Sequence, residues 1–190
     1  FTHNLNQPST DLNGFRLFDE DVNTFNVDVA ELVVQRPVAN RGDVGFRLDV
    51  IAGGALPEKT ASAGLTLNDV VDIQQAFGSS VAPIGSGLRL DFGKFVTHVG
   101  YELIEGYDGY NDHYSRSLLF NYAIPLTHTG VKATYSFGDR VSAMVGVFNG
   151  WDNVEDNNNS KSIGANLTIK PFDPVTVYLN YIGGPEQANG

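Results

Sequence analysis

The stretch VSAMVGVFNGWDNVEDNNNSKSIGANLTIKPFDPVTVYLNY (residues 141–181) decides how the chain folds. Val141, Ala143, Val145 and Val147 alternate with Ser142, Met144 and Gly146, so an extended backbone carries the apolar set on one side only. Ile163, Ala165, Leu167 and Ile169 repeat the pattern against Gly164, Asn166, Thr168 and Lys170. Val175, Val177, Leu179 and Tyr181 do so again against Thr176, Tyr178 and Asn180. The last two runs are joined by PFDP, a tight turn, whereas the first two are joined by a long polar connection over about 150–162.

The same period extends toward the N-terminus. Val44, Phe46, Leu48 and Val50 oppose Gly45, Arg47 and Asp49. Over about 70–82, Val71, Ile73, Phe77 and Val81 are read on one face, against Asp72, Gln74 and Ala76. Leu88, Leu90 and Phe92 oppose Arg89 and Asp91, and Val131, Ala133, Tyr135 and Phe137 oppose Lys132, Thr134 and Ser136. An earlier strand over about 24–36 changes phase between Val29 and Leu32, which predicts a bulge near Ala30 and Glu31. Eight strands are expected from Thr24 onward, with a possible strand end at 1–6. Connections alternate in length: PVANRG, PIGSG, Gly138–Asp139 and PFDP are short, while about 7–23, 53–69, 98–129 and 150–162 are long.

Composition excludes several classes. The 190 residues contain no cysteine, which removes disulfide scaffolds and thiolate metal sites. Acidic residues outnumber basic ones 22 to 12, an unfavourable balance for binding nucleic acid. The 42% apolar content is too high for bulk disorder. No apolar run approaches the roughly 20 residues of a membrane helix. Short turns at one end and long loops at the other are instead the layout of an antiparallel up-and-down transmembrane β-barrel, in which only alternate residues meet lipid. A soluble β-sandwich binding module would distribute its loop lengths without that bias. Phe25, Phe148, Trp151 and Tyr181 near the long-loop ends, and Phe137 and Phe172 near the short turns, are placed as interfacial girdles. Open sheet edges are not tolerated in lipid, so residues 1–190 are read as one barrel segment of about eight to nine strands. It is expected to be the first part of a larger barrel, truncated at both ends.

GKFVTHVGYELIE (93–105), YSRSLLFNYAIPLTHTGVKATY (114–135), VGVFNGWDNVEDNNNSKSIG (145–164) and LNYIGGPEQ (179–187) resemble bacterial outer-membrane β-barrel porins of the OmpL-like kind. FRLFDEDVNTFNVDVAEL (15–32) resembles that family's early segment. The resemblance implies a pore-like protein in the bacterial outer membrane and supplies no substrate.

With the apolar faces in lipid, Arg47, Asp49, Asp72, Gln74, Arg89, Asp91 and Lys132 are expected to line a polar lumen, where they would bias ion passage. The connection over 98–129 has two readings. It folds inward as a constriction carrying Tyr101, Glu102, Tyr114 and Arg116, or Leu118 to Leu126 form the upper half of one tall strand through Val131. The break THTG (127–130) favours the constriction, which is the reading adopted.

Other motifs fail on their chemistry. DNVEDNNN (152–159) lacks calcium-loop spacing, and His3, His98, His113 and His128 lie far apart, so neither a metal nor a cofactor is expected. GGALPEKT (53–60) places Glu58 where a phosphate loop requires glycine, and no GxSxG elbow occurs. The expected activity is therefore diffusion of small hydrophilic solutes or ions, without catalysis. The expected partners are the outer-membrane bilayer, those solutes, and possible further copies of the chain or a partner protein. A structural barrel enclosing or presenting a partner is the alternative.

Overall fold

A computed structural model describes residues 3–6, 9–53, 66–67, 71–104, 109 and 111–186. The elements are β1 (Ala30–Arg36), β2 (Val44–Ala52), the two-residue β3 (Thr66–Leu67), β4 (Val71–Ala82) and β5 (Leu88–Val96). They continue with the short helix α1 (Leu118–Ala123), β6 (Thr127–Ser136), β7 (Val141–Phe148), β8 (Ser162–Phe172) and β9 (Val175–Gly183). The order across the sheet is β1-β2-β4-β5-β6-β7-β8-β9, with β3 pairing β4 beside that path. Every neighbouring pair is antiparallel. This is an all-β meander, and β1 and β9 stand at its two edges.

Short connections at 37–43, 83–87, 137–140 and 173–174 alternate with longer stretches, namely that between β2 and β4, which holds β3, that at 97–126, which holds α1, and that at 149–161. The first short turn shows how the sequence builds them. The Asp43 carboxylate accepts from the Ala39 and Asn40 amides at 3.0 and 2.7 Å, and these bonds hold its carboxyl below the usual carboxylate range. Gly42 supplies the left-handed φ of 88° that the turn requires.

Burial across this sheet is inverted relative to a soluble one. Phe46, Phe92 and Val145 are 48%, 57% and 59% exposed, while Asp49, Gln74 and Asp91 are 0%, 0% and 2% exposed. The open face thus carries valine, leucine and phenylalanine, and the covered face carries the charges. Only a non-aqueous surrounding makes that open face favourable. The apolar cluster of Phe18, Ile51, Ile104, Phe120 and Leu126 lies elsewhere. It joins the end of β2 to the N-terminal segment and to residues 97–126.

Several expectations are corrected. The first strand begins at Ala30, and residues 25–29 are irregular, so the phase change there marks a strand start and not a bulge. The bulge lies in β4, where Asp49 pairs with Gln75 and Val50 with Ile73, leaving Gln74 as the extra residue. That insertion turns Phe77 and Val81 to the covered face, opposite to the assignment made from period alone. Phe148 also faces inward, 1% exposed, and so is no girdle residue. β6 starts at Thr127, so THTG lies inside a strand, and residues 118–123 are helical, which removes the tall strand. Residues 3–6 form no strand, and 1–2 lie outside the described residues.

A charge placed on the open face tests the inversion. Val145→Arg in the middle of β7 is expected to lower folding stability in lipid vesicles by about 2–4 kcal/mol. Ser142→Arg, on the covered face, should cost markedly less. Equilibrium unfolding of both variants in vesicles measures the difference.

Candidate functional site

The covered face is built strand by strand. On β2, Arg47 donates to the Asp49 carboxylate from Nε at 2.8 and 2.9 Å, and its Nη2 lies 2.7 Å away. Gln75 on β4 donates to the same carboxylate at 2.5 Å and accepts from the Val96 amide at 3.0 Å. The bulge makes this bridge possible, because unbroken alternation through Ile73 and Gln74 would turn the Gln75 side chain to the open face. One row further, Asp91 accepts from Ser79 at 2.5 Å and from Arg89 at 2.8 Å. Lys94 donates to the Ile73 carbonyl at 2.7 Å and lies 3.6 Å from Asp72. Both carboxylate oxygens of Asp72 and both polar atoms of Gln74 are buried without a hydrogen-bond partner among the described residues.

Lys132 on β6 stands directly across from Asp91, which Ser79 and Arg89 already engage. Its Nζ sits 4.0 Å from the centroid of the Phe95 ring. Phe95 meets Phe77 and Phe148 edge-on, at 6.2 and 5.7 Å. Phe148 stacks on His128 at 4.6 Å. A Cβ on Gly146 or Gly164 would run into the Phe148 ring, so those glycines form the floor on which it rests.

His98 joins this cluster, 5.4 Å from His128, although the two were read as distant in the sequence. Its Nε2 bonds the Tyr181 carbonyl of β9 at 2.9 Å, which draws the 97–126 connection across β6, β7 and β8. Between that connection and the sheet lies a cavity of about 520 Å³, floored by Lys132, Met144, Asn166 and Tyr178 and roofed by His98 and Tyr101.

Of the four expected constriction residues, Tyr101 lines this cavity, its ring 6.5 Å from that of Tyr178. The other three hold the connection in place. Glu102 accepts from the Ser117 amide at 2.8 Å and from the Ser117 hydroxyl, where α1 begins. Tyr114 donates to Asp28 at 2.7 Å, and burial with that bond pushes its phenol up to about 12. Arg116 donates to the Leu103 and Ile104 carbonyls at 3.1 and 2.5 Å while its guanidinium lies over Phe18 at 4.2 Å. On the seven expected lumen positions, the structure brings Arg47 to Asp49, Arg89 to Asp91 and Asp72 to Lys94, and sets Lys132 apart.

The family described as "Putative beta-barrel porin-2, OmpL-like" matches the chain over residues 1–190. The chain belongs to this porin family. No curated protein and no solved structure matches it. For an OmpL-like porin the inverted sheet takes its ordinary meaning, because the family is one of membrane β-barrels. Porin membership also gives this chain a porin-like role in general terms, with a membrane around it and small solutes as what passes.

Two measurements probe how the porin's loop is held. Arg116→Ala removes the guanidinium from the Ile104 carbonyl, while the Leu103 carbonyl keeps the Asn111 amide, and is expected to cost the connection about 1.5–3 kcal/mol of local stability. Hydrogen exchange should show it as lost protection in 97–126, with the strand amides unchanged. The second test uses pH. Burial pushes the His98 imidazole below its ordinary 6.5, and its Nδ1 is buried without a partner. The docked state therefore binds fewer protons than the undocked state between the lowered value and 6.5, so docking weakens as pH falls through that window. Protection of residues 97–103 should decline on acidification below 6.5 and lose that component in His98→Gln.

Proposed function

We propose that the chain forms the wall of a bacterial outer-membrane channel through which small hydrophilic solutes or ions diffuse passively, without catalysis or cofactor. The carrying observation is the inverted sheet, with Phe46, Phe92 and Val145 outward and Asp49, Gln74 and Asp91 covered. In this reading Arg47, Asp49, Asp72, Gln74, Arg89, Asp91 and Lys132 border the aqueous passage. The paired charges set a transverse field across it, and Lys132 acts as a cation that no carboxylate pairs among the described residues. The 97–126 connection narrows the passage, with Tyr101 at the constriction and Glu102, Tyr114 and Arg116 fixing its position.

A structural barrel that encloses or presents a partner is the second reading. It is favoured by the apolar cluster of Phe18, Ile51, Ile104, Phe120 and Leu126, which packs the N-terminal segment and the connection onto the end of β2. Such packing would suit a plugged passage.

Planar-bilayer recording of the detergent-extracted, full-length protein decides between them. The channel reading expects stable conductance steps and a defined reversal potential in a salt gradient. It further expects larger steps when residues 99–124 are replaced by a short linker, and a smaller increase for Tyr101→Ala. A heat-modifiable barrel that never conducts would overturn the channel and favour the partner-bearing barrel.

A further inference from the structure

The cavity between the 97–126 connection and β6–β9 has a lining of specific chemistry. Among the described residues that line it, Lys132 is the one that carries a full charge at neutral pH, because burial keeps His98 neutral there. No carboxylate lies within ion-pairing distance of the Lys132 ammonium group among the described residues. Its close neighbour is the face of Phe95, at 4.0 Å. A cation in that position gains strongly from an anion brought alongside it.

The rest of the wall suits hydroxyl groups. Thr168 donates to the Asn166 side-chain oxygen at 3.0 Å, and Asn166 donates to Asn180 at 2.6 Å. This chain of amides and a hydroxyl runs along β8 and β9 beside the cavity, offering donors and acceptors at close spacing. Tyr178 and Tyr101 contribute ring faces that can cover a carbon skeleton. A volume of about 520 Å³ lies within the rough 300–1,000 Å³ range of small-molecule sites. One ammonium without an arginine fork or a nest of backbone amides suits a single carboxylate better than a phosphate.

We propose that this cavity is a binding subsite for a small hydroxylated monocarboxylate, with the carboxylate on Lys132, the hydroxyls along Asn166 and Thr168, and the carbon chain against Tyr178 and Tyr101. The subsite rests on the channel reading, as a station at which such a solute dwells during passage. The chain as a whole is acidic, at net charge -10, so the subsite makes an anion welcome at one point in an otherwise negative molecule.

The test uses gluconate as the probe, with glucose as its uncharged counterpart. In planar bilayers, gluconate should interrupt the current in a saturable manner and glucose should do so far more weakly. Lys132→Met should weaken the gluconate effect by at least about tenfold, the loss expected for one charge-assisted hydrogen bond. Lys132→Arg should largely retain it, and Tyr178→Ala should weaken it for gluconate and glucose alike. Heat-modifiable migration confirms that each variant is folded. Calorimetric titration of the detergent-folded protein with gluconate separates this proposal from the channel itself. Saturable, Lys132-dependent binding in a protein that never conducts would keep the subsite and remove the channel. Conductance with no gluconate effect in either assay, or one unchanged in Lys132→Met, would overturn the subsite and leave the channel standing.

Discussion

A strand that turns valine and phenylalanine toward hydrocarbon has no water on that side to bond its amides and carbonyls, so its neighbours must supply every partner. The antiparallel ladder meets this demand for the strands from β2 to β8, while β1 and β9 each keep one edge that no described strand pairs. It also explains the short turns, since 83–87 and 137–140 return the chain to the sheet with few residues left unpaired. The side chains obey a matching constraint on the covered face. Asp49 and Asp91 are held in place on that face because each accepts from an arginine on its own strand and from a polar residue on β4. The β4 bulge belongs to this arrangement, because it aims Gln75 at Asp49 and the Val96 amide together.

The sheet was legible in the sequence because a period of two is a local property. Val141 to Val147, or Ile163 to Ile169, reveal it without any knowledge of neighbours. The β4 bulge was not legible for a physical reason. With Gln74 and Gln75 both turned inward, every later side chain falls on the face opposite to unbroken alternation, yet Phe77 and Val81 are apolar, so the pattern looks continuous while the faces exchange. Phe77 is apolar because it packs against Phe95 under the Lys132 ammonium group, and not because it meets lipid. An inward aromatic and an outward aromatic are identical in a one-dimensional pattern.

Residues 118–126 misled in the opposite way. Leu118, Phe120, Tyr122, Ile124 and Leu126 alternate like a strand, but Ser117 caps a helical turn by accepting from the Phe120 amide at 3.2 Å. Pro125 then follows the helix end, so a serine before the run and a proline after it were the available signals. The histidine–phenylalanine cluster left no local signal at all. His98 and His128 are brought together by the pairing of β5 with β6 and by a bond that reaches across to β9. The candidate site was thus half visible: its charges followed from alternation, whereas the separation of Lys132 from the paired rows required the fold.

The central claim is that the valine face of this sheet meets lipid and the polar face meets water. The absence of cysteine from the sequence makes it directly measurable, because single cysteines can be introduced along β7 and labelled with a nitroxide in vesicles. Labels at Val141→Cys, Ala143→Cys, Val145→Cys and Val147→Cys should be relaxed by oxygen dissolved in the bilayer. Those at Ser142→Cys and Met144→Cys should respond to a water-soluble nickel chelate, giving an alternation of period two. Equal access of the chelate to both sets would contradict the account and return the chain to the soluble β proteins.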